Sequence, residues 1–259
     1  MTTLPSSRVT PTRLRVTLAR FSLRHPEWWL VAASAAAWVL AWWLTAGSNE
    51  GSLHRPHDDS NVAEAWSLGT LLVRVGIWSI MVVAMMGPVM VPRVRHVAAC
   101  CMGRVRTRAI LETLGGALLV WVIVGVIAIG LVIAAPGFDV RDSPISFLFV
   151  WLLVAGWQLM PSKLASIGRC HAVRVPRGVA VGNRRLTAGM AYTSWCVVSC
   201  GPAMVAMAIT GHPPLLMVAL TIGLTAERVV HRPARAARML AFGVAATALV
   251  SLVLSVQGS

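Results

Sequence analysis

The feature that most restricts this chain is the recurrence of uncharged apolar windows near bilayer-spanning length, with arginine clusters in every second interval between them. A run of about 20 apolar residues spans a bilayer core as a helix. Seven windows qualify or come close: 28–46, 68–91, 110–135, 145–160, 186–210, 214–226 and 239–256, the fourth marginal and the sixth short. Composition agrees, since a chain that is 57% hydrophobic and 12% charged has too little polar surface to cover a soluble globule. The expected fold is an all-α polytopic transmembrane helix bundle of about seven spans. It forms one integral membrane domain over 1–259, with a basic arm at 1–27.

The net charge of +14 has to be located before it is given a partner. Arg8, Arg13, Arg15, Arg20 and Arg24 precede the first window, and Arg93, Arg95, Arg104, Arg106 and Arg108 follow the second. Lys163, Arg169, Arg174, Arg177, Arg184 and Arg185 follow the fourth; Arg228, Arg232, Arg235 and Arg238 follow the sixth. The alternate connections hold Arg55 and Arg141 with Glu50, Asp58, Asp59, Glu64, Asp139 and Asp142. Basic short loops stay in the cytoplasm, so the pattern predicts an inside N-terminus, an outside C-terminus and residence in the cell's inner (plasma) membrane. The basic charge is then a matter of topology and of attraction to anionic membrane lipids, and nucleic acid is not expected as a partner. The long basic n-region and Trp28, Trp29, Trp38, Trp42 and Trp43 read as a retained, interface-anchored helix, not a cleavable signal.

Within this frame the sulfur atoms are the chemistry on offer. "MVVAMMGPVM" places Met81 and Met85 one turn apart in the second window, and "CVVSCGPAM" does the same with Cys196 and Cys200 in the fifth, followed by Met204. Oppositely threaded, the two pairs fall at the same depth, and residues four apart share a helix face. The same spacing is too long for a disulfide between Cys196 and Cys200. Thiol and thioether donors without a carboxylate suit a soft ion, above all Cu(I); zinc fits less well because methionine ligates it poorly. Met207, Met217 and His212 extend the stripe toward one surface. His96, Cys100, Cys101, Met102, Cys170 and His171 extend it toward the other, with Cys170 and the Cys100/Cys101 pair as relay groups. Pro88 and Pro202 each free a carbonyl, of Ala84 and Val198, that a neighbouring helix, water or ligand must satisfy. Two such Gly-Pro windows in opposite directions are also what an inverted repeat would leave.

Trp78, Met81, Ala84, Met85, Met86, Pro88 and Pro92, then Gln158, Pro161 and Lys163 in "WQLMPSK", then Cys170, Cys196, Cys200, Met204, Glu227 and Arg228, resemble a bacterial family. This is the DUF2182 family, described as predicted metal-binding integral membrane proteins, some of them labelled copper chaperones. The resemblance covers about residues 66–230 and implies metal binding. The chain departs from the pattern at Ser166 and Ser199, where further cysteines are common, and at Gly201, where a tryptophan is common.

Plainer readings stand beside these. Methionine and buried cysteine also fill apolar cores. His54, His57, Asp58 and Asp59 read as a solvated loop, Arg74 as snorkelling, Glu227 as paired near the inner interface, and Gln158 and Lys163 as capping the fourth window, with Pro161 as a helix stop. No phosphate loop, HExxH or intramembrane carboxylate pair marks an enzyme, and none is expected. The sequence therefore points to a membrane-embedded soft-metal protein, with Met81, Met85, Cys196, Cys200, Met204 and Cys170 as ligands. Copper would pass to or from a metal-donor or metal-acceptor protein. An accessory or assembly subunit of a larger membrane complex, or a small-molecule transporter, are the rival classes.

Overall fold

The computed structural model describes residues 25–47, 66–101, 103–134, 143–174, 182–211, 214–230 and 233–257. They form eight helices: α1 Trp28–Gly47, α2 Leu68–Cys100, α3 Arg104–Ala134, α4 Pro144–Leu159, α5 Pro161–Ala172, α6 Gly182–Thr210, α7 Pro214–Val229 and α8 Pro233–Gln257. Each of the seven apolar windows lies on a helix, and no strand occurs among the described residues. By length and composition α2, α3 and α6 are each able to cross a membrane, and α4 with α5 makes a fourth such unit, bent by 63°.

Two helix starts are written locally. Ser67 accepts a hydrogen bond from the Thr70 amide to cap α2, and Ser143 accepts one from Ser146 with Pro144 in the first turn of α4. The bend between α4 and α5 is also local. Met160 precedes a proline and is held extended, at φ −69° and ψ 137°, while Pro161 opens the next helix. Pro161, expected as a helix stop, therefore also starts a helix, α5.

The helix pairings close a ring. α2 packs on α3, α3 on α6, α6 more lightly on α4, α4 on α8, α8 on α7, and α7 back on α2; α1 lies outside against α2, and α5 lies against α6. Glycine sets the closest crossing. A Cβ at Gly116 would run into the Leu186 carbonyl, and one at Gly189 into that of Thr113, so small residues let the α3 and α6 backbones meet. Trp78 of α2 donates from Nε1 to the Trp121 carbonyl of α3 at 2.8 Å.

The Gly-Pro pair of α2 has a structural partner. Ser34 of α1 donates to the Ala84 carbonyl at 2.8 Å, the acceptor that Pro88 leaves free. Gly87 makes room for it, since a Cβ there would lie 2.7 Å from Ser34 Cβ. Pro88 and Pro92 thus sit inside a continuous helix. Pro202 likewise lies within α6, but a Cβ at Gly201 would meet, among the described residues, the Val197 side chain of its own helix. The sharp break in the chain falls at Met160–Pro161, not at either Gly-Pro pair.

At the arginine-rich end, Glu27 precedes α1 and takes hydrogen bonds from Arg95 Nε and Nη2 of α2, at 2.8 and 2.6 Å. Burial pushes the Glu27 carboxyl up. The Arg95 bonds and charge, a backbone bond and His25 outweigh it and hold the carboxyl below the usual carboxylate range.

Candidate metal centre and its charged surroundings

Met81, Met85, Cys170, Cys196, Cys200 and Met204 are all buried in one continuous core, which also takes Met86, Met90, Met207 and Met217. α6 brings Cys196, Cys200 and Met204 onto one buried face by their four-residue spacing. All five cysteines are free, so Cys196 and Cys200 remain separate thiols, as helical spacing requires. α2 and α6 are not tightly paired. Each packs on α3 and each is touched by α7, and Met81 and Met85 belong to the same buried core as the α6 thiols.

What gathers around the α6 thiols is an arginine. Arg228 of α7 points one nitrogen, Nη2, at Ser199 Oγ (2.9 Å), Cys196 Sγ (3.5 Å) and Cys200 Sγ (4.0 Å). Ser199 in turn donates to the Cys196 carbonyl at 3.0 Å. The hydroxyl thus accepts from the guanidinium and lies 3.2 Å from Cys200 Sγ. The apolar lining and a single positive charge make this a place where two thiolates and a monovalent soft cation would bring the local charge to zero.

Beside it lies a second buried ionic group. Lys163 of α5 is fully buried and pairs with Glu227 of α7 at 2.5 Å, while also donating to Gln158 Oε1 of α4. The α4–α5 bend puts Gln158 and Lys163 on either side of the break and carries both inward. Gln158 and Lys163 therefore do more than cap a helix: they meet the carboxylate next to Arg228. Glu227 is paired, as expected, but deep in the protein.

Toward the arginine-rich end, Cys170 of α5 is buried and its Sγ lies 3.5 Å from the Tyr192 carbonyl of α6. Cys100 is partly exposed, 3.9 Å from His96 Nε2, while Cys101 is buried at the end of α2. The sulfurs of Cys170 and of the Cys196/Cys200 pair do not form a cluster: among the described residues no three His, Cys, Asp or Glu side chains come together as a metal site. A three-donor zinc-type centre is thus not assembled there, whereas two thiols with thioether neighbours is a donor set suited to a soft monovalent ion. Met102, His212, His54, His57, Asp58 and Asp59 lie outside the described residues, as does the side chain of His171.

Sequence reasoning carried Arg228 only within the motifs of the resemblance and gave it no part in the thiol site, and it did not single out Tyr192. The available sign was "ER" at Glu227–Arg228, two opposite charges directly after an apolar helix; which side chain each would meet depends on the ring closing through α7.

An α-helical bundle with a buried, arginine-flanked thiol pair defines the class. A family model described as PpoB2, copper chaperone, matches residues 75–251, and the chain belongs to this family, in line with its resemblance to DUF2182 proteins. No curated protein and no solved structure matches the chain.

Proposed function

We propose that the protein is a multi-pass membrane protein that holds Cu(I) between Cys196 and Cys200 and passes it to or from a partner protein. The observation that carries this reading is the meeting of both α6 thiols at one nitrogen of Arg228, inside a methionine-rich core. Cu(I) accepts two thiolates and soft thioethers, and a copper dithiolate carries one negative charge. Arg228 neutralises that charge in a region where an uncompensated ion is costly. Met204, one turn along α6, and Met81 and Met85 of α2 are the thioether donors. Cys170 and then Cys100, with Cys101 beside it, form the relay toward the arginine-rich end, which is the cytoplasmic face by the distribution of basic residues. Seven spans with an inside N-terminus complete this topology.

Copper loading under anaerobic, reducing conditions tests the reading. The purified protein retains near-stoichiometric Cu(I), and Cys196→Ser/Cys200→Ser loses it while keeping its helical content; equal retention by that variant defeats the proposal.

A second reading has an observation of its own. The bent α4–α5 unit and the buried Lys163–Glu227 pair are the kind of feature that small-molecule transporters place in their pathways. Substrate flux in copper-free liposomes that persists in Cys196→Ser/Cys200→Ser would favour it.

A further inference from the structure

Arg93 of α2 and Arg228 of α7 converge on one aromatic ring. Their guanidinium carbons lie 5.0 and 5.9 Å from the centroid of Tyr192 on α6. Both side chains are more than nine-tenths buried, at 6% and 7% exposure. Arg93 Nη1 donates to the Val173 carbonyl at 2.6 Å, but its Nε and Nη2 have no hydrogen-bond partner among the described residues. Arg228 uses Nη2 on Ser199 and the thiols, and its Nη1 is likewise without a partner there. The two arginines line one cavity of ≈ 140 Å³, together with Val89, Pro92, His96, Cys170 and Tyr192.

Among the described residues no carboxylate lines this cavity. The nearest carboxylate in sequence, Glu227, is committed to Lys163. The Tyr192 ring attracts the cations through its face, yet it offers nothing to the in-plane N–H groups of a guanidinium. Two buried cations with three idle donor nitrogens call for an acceptor that carries negative charge. The volume is several times the roughly 30 Å³ share of one water in the liquid. Guanidinium forks match the spacing of oxygens on phosphate and carboxylate, and of these phosphate offers acceptors in enough directions to serve donors arriving from two helices.

We propose that this cavity is a binding site for a phosphate-class oxyanion, with Arg93 and Arg228 as its charge-assisted donors. The oxyanion is either free phosphate or the phosphate of an anionic lipid headgroup, admitted on the side where His96 is exposed. The site stands on the arginines and the cavity and needs no copper.

Two arms on the full-length protein in zwitterionic detergent separate the sources. Equilibrium dialysis with radiolabelled orthophosphate reads the free anion; titration with short-chain phosphatidylglycerol against phosphatidylcholine of the same chain length reads the lipid. Saturable binding is expected in one arm, weakened by about tenfold or more in Arg93→Gln and less in Arg93→Lys. Because Arg93 has no contact with the α6 thiols among the described hydrogen bonds, Arg93→Gln is expected to keep its copper stoichiometry, which separates failure of this site from failure of the thiol reading. No saturable binding of either probe by the unaltered protein overturns the proposal, whether or not the variants fold. So does equal affinity in unaltered protein and Arg93→Gln.

Discussion

Two buried residues, Lys163 and Glu227, show how far a single charge can be carried into an apolar protein when its counter-charge is already in place. Their attraction is strong only because water is excluded, and the same exclusion makes either one alone expensive. Glu227→Gln leaves the Lys163 ammonium unpaired and is expected to destabilise the fold by about 3–5 kcal/mol, whereas an apolar replacement of both partners costs much less. Thermal unfolding in detergent checks this, and equal losses in the single and double variants would show that the pair is not the source. Ser34 works by the same logic on a neutral group. Ser34→Ala exposes no new surface but orphans the Ala84 carbonyl, for an expected loss of about 1–3 kcal/mol. The answer to why a glycine and a proline interrupt "AMMGP" is therefore the docking of α1, and the methionines on either side are left to line the core.

At the scale of elements, the bundle is shaped by where helices are permitted to touch. Gly116 and Gly189 fix the α3–α6 crossing, Gly87 admits α1, and the Met160–Pro161 break turns α5 inward. The α1–α2 contact also carries a charge that responds to acid. Glu27 has its folded pKa held below the ordinary carboxylate range by Arg95, so the unfolded chain binds its proton first as pH falls. The stabilisation from this pair is complete above that range and is lost as pH drops through it toward the folded value. Glu27→Gln is expected to flatten the acid limb of a melting-temperature profile without changing its shape at neutral pH. An unchanged acid limb in that variant would assign the response to other groups. The pair is partly open to water through Arg95, which keeps the effect modest.

For the whole molecule, the reading from sequence and the structure part company at identifiable places. Helices were legible because their apolar windows are long and their ends are marked by arginine, serine caps and proline; each of the seven windows falls on a helix. The burial of Met81, Met85, Cys196, Cys200 and Met204 followed from the same windows, whereas Cys170 lies outside every window and is buried on α5. The four-residue spacing on α6 was enough to pair the thiols on one face. It could not show that α2 and α6 are held apart, each packed on α3 and touched by α7, because spacing within one helix does not name its neighbours. The charged groups were hidden for a related reason. Lys163 lies outside every apolar window, on the short polar helix α5, and only the bend at Pro161 turns it inward to Glu227. Arg228 looked like one more basic residue of a loop, yet it lies on the last turn of α7 and reaches back to the thiols. The family match points to copper handling, and in the proposed reading the two α6 thiols hold the ion with Arg228 as the balancing charge.

The account rests on Cys196 and Cys200 being the atoms that hold the metal, and X-ray absorption at the copper edge of anaerobically loaded protein addresses that directly. It predicts reduced copper with a nearest shell of sulfur that disappears in Cys196→Ser/Cys200→Ser. A shell of nitrogen and oxygen, or a sulfur shell unchanged in that variant, would contradict it.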